Sequence, residues 1–321
     1  MKMKKTGMQK LLKYLILIAA IILLIYQAEI MPETRAGKEA EAPTISPAPV
    51  ELSSEAISLS LPAGLYSPNF IVMRLDSQKP LLEKGGGDRI YPASLTKIMT
   101  TIVAIENLED LEQKLLLSDE LFDALYAENS SMAGFLPGEE IAARDLLFGI
   151  MLPSGGECCV GIAEEIAGTE ESFVTLMNLK AEELGMKDTH FTNTTGLHDT
   201  EHFSTVRDLA VLLQYSLQND TFRRIFTSKQ YTAAPTNLHP EGVTMYSTMF
   251  KSLEDNSIMN GELLGGKTGY TSKAGLCLAS LARIGDTEYI MISAGAKGNH
   301  KTEQFNISDA LTVYSRIGSR H

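Results

Sequence analysis

The spacing of apolar and polar positions changes character several times along the chain. Residues 14–26 are an unbroken apolar run, led by Lys2, Lys4, Lys5, Lys10 and Lys13 and followed by Gln27, Ala28 and Glu29. A basic lead into an apolar stretch is the pattern of an export segment. The run is nearer a signal-peptide core than the roughly 20 residues that span a bilayer, although residues 11–31 are just long enough to do so. No convincing small-x-small cleavage site follows, since Tyr26-Gln27-Ala28 is poor and Ala40-Glu41-Ala42 runs into Pro43. The expectation is therefore a signal peptide or, slightly favoured, an uncleaved anchor over residues 1–31, with the lysines held on the cytoplasmic side. Residues 32–56, rich in Pro, Ala, Glu, Ser and Thr without periodicity, read as an extended linker to the membrane-external remainder, 57–321.

Folded patterning starts near Asn69. Phe70-Ile71-Val72-Met73 and Leu81-Leu82 flank a polar stretch from Asp76 to Lys79, which predicts a hairpin ended by Gly85-Gly86-Gly87. The middle of the chain changes to helical spacing. Leu95, Ile98, Met99, Ile102 and Ile105 predict a helix over residues 94–108, and a second apolar helix is expected over 141–151. A third has Thr169 as N-cap, Glu170 and Glu171 in its first turn, Phe173, Leu176, Met177 and Leu184 on one face, and Gly185 as its stop. Strand patterning returns over 276–283 and 288–296, around the turn signal Gly285-Asp286. A closing amphipathic helix places Ile307, Leu311 and Tyr314 together. Hairpin, helical middle, strands and a final helix predict an α+β domain with one antiparallel sheet flanked by helices.

Composition narrows the function classes. With 321 residues and 44% hydrophobic content the chain can bury a large core. Its net charge is −12, and removing the five leading lysines leaves −17 on the rest, which argues against a broad nucleic-acid surface. Cys158, Cys159 and Cys277 are an odd set with two adjacent members, so they read as small buried apolar groups rather than as a disulfide framework or metal ligands.

Three short segments carry candidate chemistry. In Tyr91-Pro92-Ala93-Ser94-Leu95-Thr96-Lys97, Pro92 marks a helix start, and Lys97 falls on the same face as Ser94 three residues earlier. A serine hydroxyl needs a base to become a nucleophile, and a buried lysine with a lowered pKa can serve. Free N–H groups at the helix start suit a developing oxyanion. Leu152-Pro153-Ser154-Gly155-Gly156 places a second serine in a tight turn between helices, and Gly265-Gly266-Lys267-Thr268-Gly269 opens the strand that continues from Leu276. Each segment alone also fits an N-cap, a loop serine or a glycine-rich turn. Their order and spacing together are specific.

The sequence resembles the low-molecular-mass penicillin-binding D-alanyl-D-alanine carboxypeptidases of the S11 type. The resemblance is carried by residues 91–99, by Leu152-Pro153-Ser154-Gly155, by Asn193 through Gly196-Leu197-His198 and the later Ser204-Thr205 and Asp208-Leu209-Ala210, and by Gly266-Lys267-Thr268-Gly269-Tyr270-Thr271. It implies a β-lactamase/transpeptidase-like fold with an α-helical subdomain. It further implies Ser94 as nucleophile on the stem peptide ending in D-Ala-D-Ala, Lys97 as base, Ser154 as proton relay, and Lys267 with Thr268 and Gly269 at the substrate carboxylate. The N–H groups of Ser94 and Tyr270 would form the oxyanion hole. β-Lactam antibiotics would acylate the same serine, the domain would act outside the membrane, and no cofactor or metal is implied. One position departs from the family pattern: the second motif usually ends in Asn, and here it is Gly156. Water, or Glu157 turned inward, is expected to fill the gap.

Competing readings stay in view. Residues 261–268 match a phosphate-loop pattern, but a phosphate loop must lead into a helix, and Gly269, Tyr270, Thr271 and Gly275 lead to a strand. His198-Asp199-Thr200-Glu201-His202 matches an inverted zinc-peptidase pattern in a stretch without helical periodicity. A β-lactamase would share Ser94 and Lys97, but its class A members need a carboxylate to activate the deacylating water, and this chain has no matching Glu-x-x-Leu-Asn segment between Ser154 and Lys267. A silent wall-binding protein is the non-enzyme alternative, motivated by Gly156.

Overall fold

Strand and helix patterning resolve into three layers in the computed structural model, which describes residues 64–320. The export segment and linker expected before residue 57 lie outside the described residues. Among those described, no helix is long and apolar enough to cross a membrane.

In chain order the elements are β1 (Asn69–Arg74), β2 (Pro80–Lys84), a 3₁₀ turn (Ala93–Leu95), α1 (Thr96–Asn107), β3 (Lys114–Leu116), α2 (Asp119–Ala127), β4 (Glu140–Ala142), α3 (Ala143–Met151), α4 (Gly156–Ala167) and α5 (Glu170–Glu183). There follow α6 (Val206–Ser216), α7 (Asp220–Phe226), β5 (Gln230–Thr232), β6 (Thr244–Tyr246), α8 (Thr248–Lys251), β7 (Ser257–Ile258), β8 (Gly261–Thr271), β9 (Gly275–Ile284), β10 (Thr287–Ala296) and α9 (Phe305–Gly318). One six-stranded sheet runs β2-β1-β10-β9-β8-β7, with antiparallel neighbours throughout.

Both faces of this sheet are covered, so its central strands are apolar at almost every position rather than alternately. Period two sorts the side chains between the two covers. Phe70, Val72, Leu278, Ala282 and Met291 pack with Ile307, Val313 and Tyr314 of α9 on one side. Ile71, Met73, Ala279, Leu281 and Ile292 pack with the helical lobe on the other. Within that lobe α1 is central: all nine residues from Thr96 to Ala104 are buried, so the sequence stripe seen at Leu95, Ile98, Met99 and Ile102 widens to a fully enclosed helix.

The first hairpin, the Thr169 cap, the Gly185 stop, the Gly285-Asp286 turn and the closing helix all form as the sequence predicts. Thr169 Oγ1 accepts from Ser172 N at 3.1 Å, and Gly185 takes φ +74°. Two expectations need correction. Ile141 does not start a helix; it sits in β4, paired with Leu115 of β3, and α3 begins at Ala143. The Lys267 motif does not open the strand from Leu276. It lies inside its own strand β8, with Lys267 opposite Ala279 and Gly269 opposite Cys277 of β9. Its glycines suggest a turn by composition, yet they pair along β9, and they are glycines because neighbouring backbone and side chains approach too closely there for a Cβ.

Candidate active site

The nucleophile candidate stands where the 3₁₀ turn meets α1. Ala93 takes φ +49°, a conformation costly for a residue with a Cβ, and so brings Ser94 out at the head of the buried helix. One turn on, Lys97 is 2% exposed. Its Nζ donates to the Thr195 carbonyl at 2.6 Å and lies 3.4 Å from Ser94 Oγ. Burial lowers the Lys97 pKa, because the charged ammonium loses its hydration, while carboxylates such as Glu157 and Glu170 oppose that shift.

Ser154 reaches the same point from the turn between α3 and α4. It takes φ +72°, and its hydroxyl donates to Ser94 Oγ at 3.0 Å. The third wall is β8. A Cβ at Gly269 would lie 3.1 Å from Ser94 N and 3.2 Å from Ala93 Cβ, so a glycine lets the strand backbone lie directly against the nucleophile turn. Thr268 Oγ1 is hydrogen-bonded to Thr248 Oγ1 at 2.6 Å. Tyr270 meets His300 edge to face, with ring centroids 4.9 Å apart.

Ser94, Lys97, Ser130, Thr195, His198 and Tyr270 line a cavity of about 520 Å³. A smaller one of about 230 Å³, lined by Ser94, Ser154, Thr268 and Gly269 among others, adjoins it at Ser94. Six of the seven site residues expected from sequence thus surround one space. Lys267 is the exception: it is fully buried, and its Nζ donates to the Thr268 carbonyl at 2.9 Å. Its pKa is pushed well below the ordinary lysine value, by burial first and by the nearby Lys97 charge second.

Gly156 does not leave a gap for water or Glu157. Glu157 is buried and turned away, its Oε1 accepting from Ala133 N at 2.6 Å and Gly134 N at 3.0 Å. Burial raises its pKa. The space beside Gly156 is held by Ser130, whose Oγ a Cβ at position 156 would overlap.

The two histidines of the zinc-like pattern diverge. His202 is 2% exposed, with Nε2 2.7 Å from Thr96 Oγ1 and Nδ1 accepting from Thr192 N at 3.1 Å. Since Nδ1 accepts, Nε2 carries the proton and donates to Thr96. Burial lowers the His202 pKa to about 4. His198 instead packs edge to face on Tyr91, with centroids 4.6 Å apart. No group of three His, Cys, Asp or Glu side chains suited to a metal occurs among the described residues. The phosphate-loop pattern at 261–268 lies wholly within β8, with no helix after it. All three cysteines are buried and free.

Sequence reasoning missed three participants. Thr195 lies within the Asn193–His198 segment that carries the resemblance but takes no role from it, because it meets Lys97 through its main-chain carbonyl, which no side-chain motif announces. Ser130 and His300 reach the site along loops with no signal of their own.

Comparison with known proteins places the chain in a family. The family D-alanyl-D-alanine carboxypeptidase, peptidase S11, matches residues 58–298. The D-alanyl-D-alanine carboxypeptidase DacF of Bacillus subtilis is 34% identical over 233 residues, 70% of this chain and 56% of that protein. DacC of Escherichia coli is 32% identical over 255 residues, 76% of this chain and 60% of that protein. The chain therefore spans a little under two thirds of the length of these two relatives. The crystal structure of the Streptomyces K15 DD-transpeptidase superposes with a TM-score of 0.70 at 26% identity, covering 81% of this chain and all of that one. The chain belongs to the peptidase S11 family of D-alanyl-D-alanine carboxypeptidases.

Proposed function

We propose, from that membership and from the cleft, that the protein is a serine D-alanyl-D-alanine carboxypeptidase acting on the peptidoglycan stem peptide. The observation that carries the reading is the position of Ser94 Oγ, 3.4 Å from Lys97 Nζ and 3.0 Å from Ser154 Oγ. Burial favours the neutral amine of Lys97, and the Thr195 carbonyl takes one of its N–H groups, leaving the lone pair free to turn toward Ser94. Ser94 then attacks the carbonyl before the terminal D-alanine as Lys97 accepts its proton. The N–H groups of Ser94 and Tyr270 stabilise the oxyanion, and Ser154 passes a proton to the departing amine. Water hydrolyses the acyl-enzyme and frees Ser94.

Exopeptidase specificity follows from the β8 wall. Thr268 Oγ1 and the Gly269 backbone meet the free carboxylate, with the Lys267 charge directly behind them. An arriving carboxylate supplies the countercharge that favours protonated Lys267. β-Lactams would occupy the same cleft and acylate Ser94. Residues 1–31 as export signal or anchor and 32–56 as spacer would place the domain outside the membrane. The test is release of D-alanine from a synthetic peptide ending in D-alanyl-D-alanine. The reading expects release from the free acid and at least a tenfold slower reaction on the C-terminal amide; equal rates would sink the carboxylate role.

A further inference from the structure

Gly156 opens α4 at the edge of the cleft, two residues after Ser154, yet has no side chain to offer a substrate. The volume a side chain there would enter is not empty. A Cβ at 156 would overlap Ser130 Oγ and lie 3.1 Å from Leu125 Cδ2 and 3.3 Å from Ser130 Cβ. Ser130 comes from the loop between α2 and β4, far from α4 in sequence. Three hydrogen bonds fasten that loop to the start of α4: Gly156 N donates to the Ser131 carbonyl at 2.7 Å, and Ala133 N and Gly134 N donate to Glu157 Oε1 at 2.6 and 3.0 Å. Burying the Glu157 carboxyl costs free energy that the two N–H bonds offset, so the joint holds the loop against α4. The Ser130 hydroxyl makes one long contact of its own, 3.4 Å to the Ser131 carbonyl, and it lines the same cavity as Ser94 and Lys97. Its loop thus holds it beside Gly156 at the wall of the cavity that Ser94 and Lys97 also line.

We propose that Ser130 is a substrate-positioning residue, set in the place of a side chain at position 156 and offering its hydroxyl to an amide of the peptide held over Ser94. Glycine at 156 is then a condition for that placement rather than a loss, and Glu157 is the strut that keeps it. The inference rests on the D,D-peptidase reading above.

A double-mutant cycle on kcat/KM for a peptide ending in D-alanyl-D-alanine tests it, using the full chain, with melting temperature and penicillin labelling of Ser94 measured on each variant. Ser130→Ala removes the hydroxyl and should lower kcat/KM about 3- to 10-fold, the range of one neutral hydrogen bond. Gly156→Ala adds a methyl group that displaces the same hydroxyl and should cost a similar factor. The double variant should be no worse than either single one, because both changes remove one interaction. All should melt within a few degrees of wild type and still label at Ser94. Ser130→Ala within twofold of wild type, or losses that multiply in the double variant, would overturn the inference while leaving the reading intact. A wild type that neither labels nor releases D-alanine would overturn both.

Discussion

The two walls of the cleft are built on different principles. The strand wall, Lys267-Thr268-Gly269-Tyr270, is held by the antiparallel register of β8 on β9, and its contact with the nucleophile turn is backbone against backbone at Gly269. The helical wall is assembled from pieces remote in sequence: Ser94 on the 3₁₀ turn and Lys97 on α1, the Thr195 carbonyl, Ser154, and Ser130 on the loop fastened by Glu157. Both walls bury a lysine. On the helical wall Lys97 faces a hydroxyl and a carbonyl and is the proposed base; on the strand wall Lys267 sits behind Thr268 and is the proposed source of charge for the substrate carboxylate. A register can be held by periodicity alone, whereas a wall of tertiary contacts needs a strut at each joint.

The sharpest way to break the comparison is to remove each lysine. Lys97→Ala deprives Ser94 of its base and should slow acylation by roughly 10³-fold or more. Lys267→Ala leaves the nucleophile intact and removes the charge behind Thr268, so it should cost about 10- to 150-fold, corresponding to about 1.5–3 kcal/mol, on free-carboxylate peptides. Single-turnover acylation rates for both variants check this ordering. The reverse ordering would mean that the two walls exchange roles.

A smaller effect probes the joint between α1 and the Thr195 loop. His202 clamps Thr96 to Thr192, and its folded pKa of about 4 lies below the ordinary 6.5. A group with a depressed folded pKa stabilises the fold above its unfolded pKa, and that contribution is lost as pH falls through the window from 6.5 toward 4. Across the window the loss is at most roughly 3 kcal/mol. His202→Gln should therefore flatten the acid side of the stability profile, as read by urea unfolding at pH 7 and pH 4.5. An unchanged slope would show that His202 does not carry the acid sensitivity.

The layering around the cleft was legible in the sequence because it follows from short-range patterning: apolar runs in β1, β9 and β10, helical spacing that puts Ser94 and Lys97 on one face, and turn residues at Gly285-Asp286. The motif order brought Ser154 and Lys267 into the same argument. Local composition misplaced Ile141 and the glycines around Lys267, since pairing with a distant strand outweighed it. What stayed hidden belongs almost wholly to the helical wall. Lys97 and Thr195 are separated by 98 positions and meet through a carbonyl, and Ser130 reaches Gly156 only because of the loop's path. Glu157 read as a candidate for the cleft and is a strut instead, because its carboxylate accepts from the backbone N–H groups of Ala133 and Gly134.

The central claim is that Ser94 is the nucleophile where the two walls meet. Incubation with a fluorescent penicillin, followed by proteolysis and mass mapping of the modified peptide, tests it most directly. The account predicts one covalent adduct on Ser94, abolished by Ser94→Ala; label that persists in that variant, or maps to Ser154 or any other residue, would contradict it.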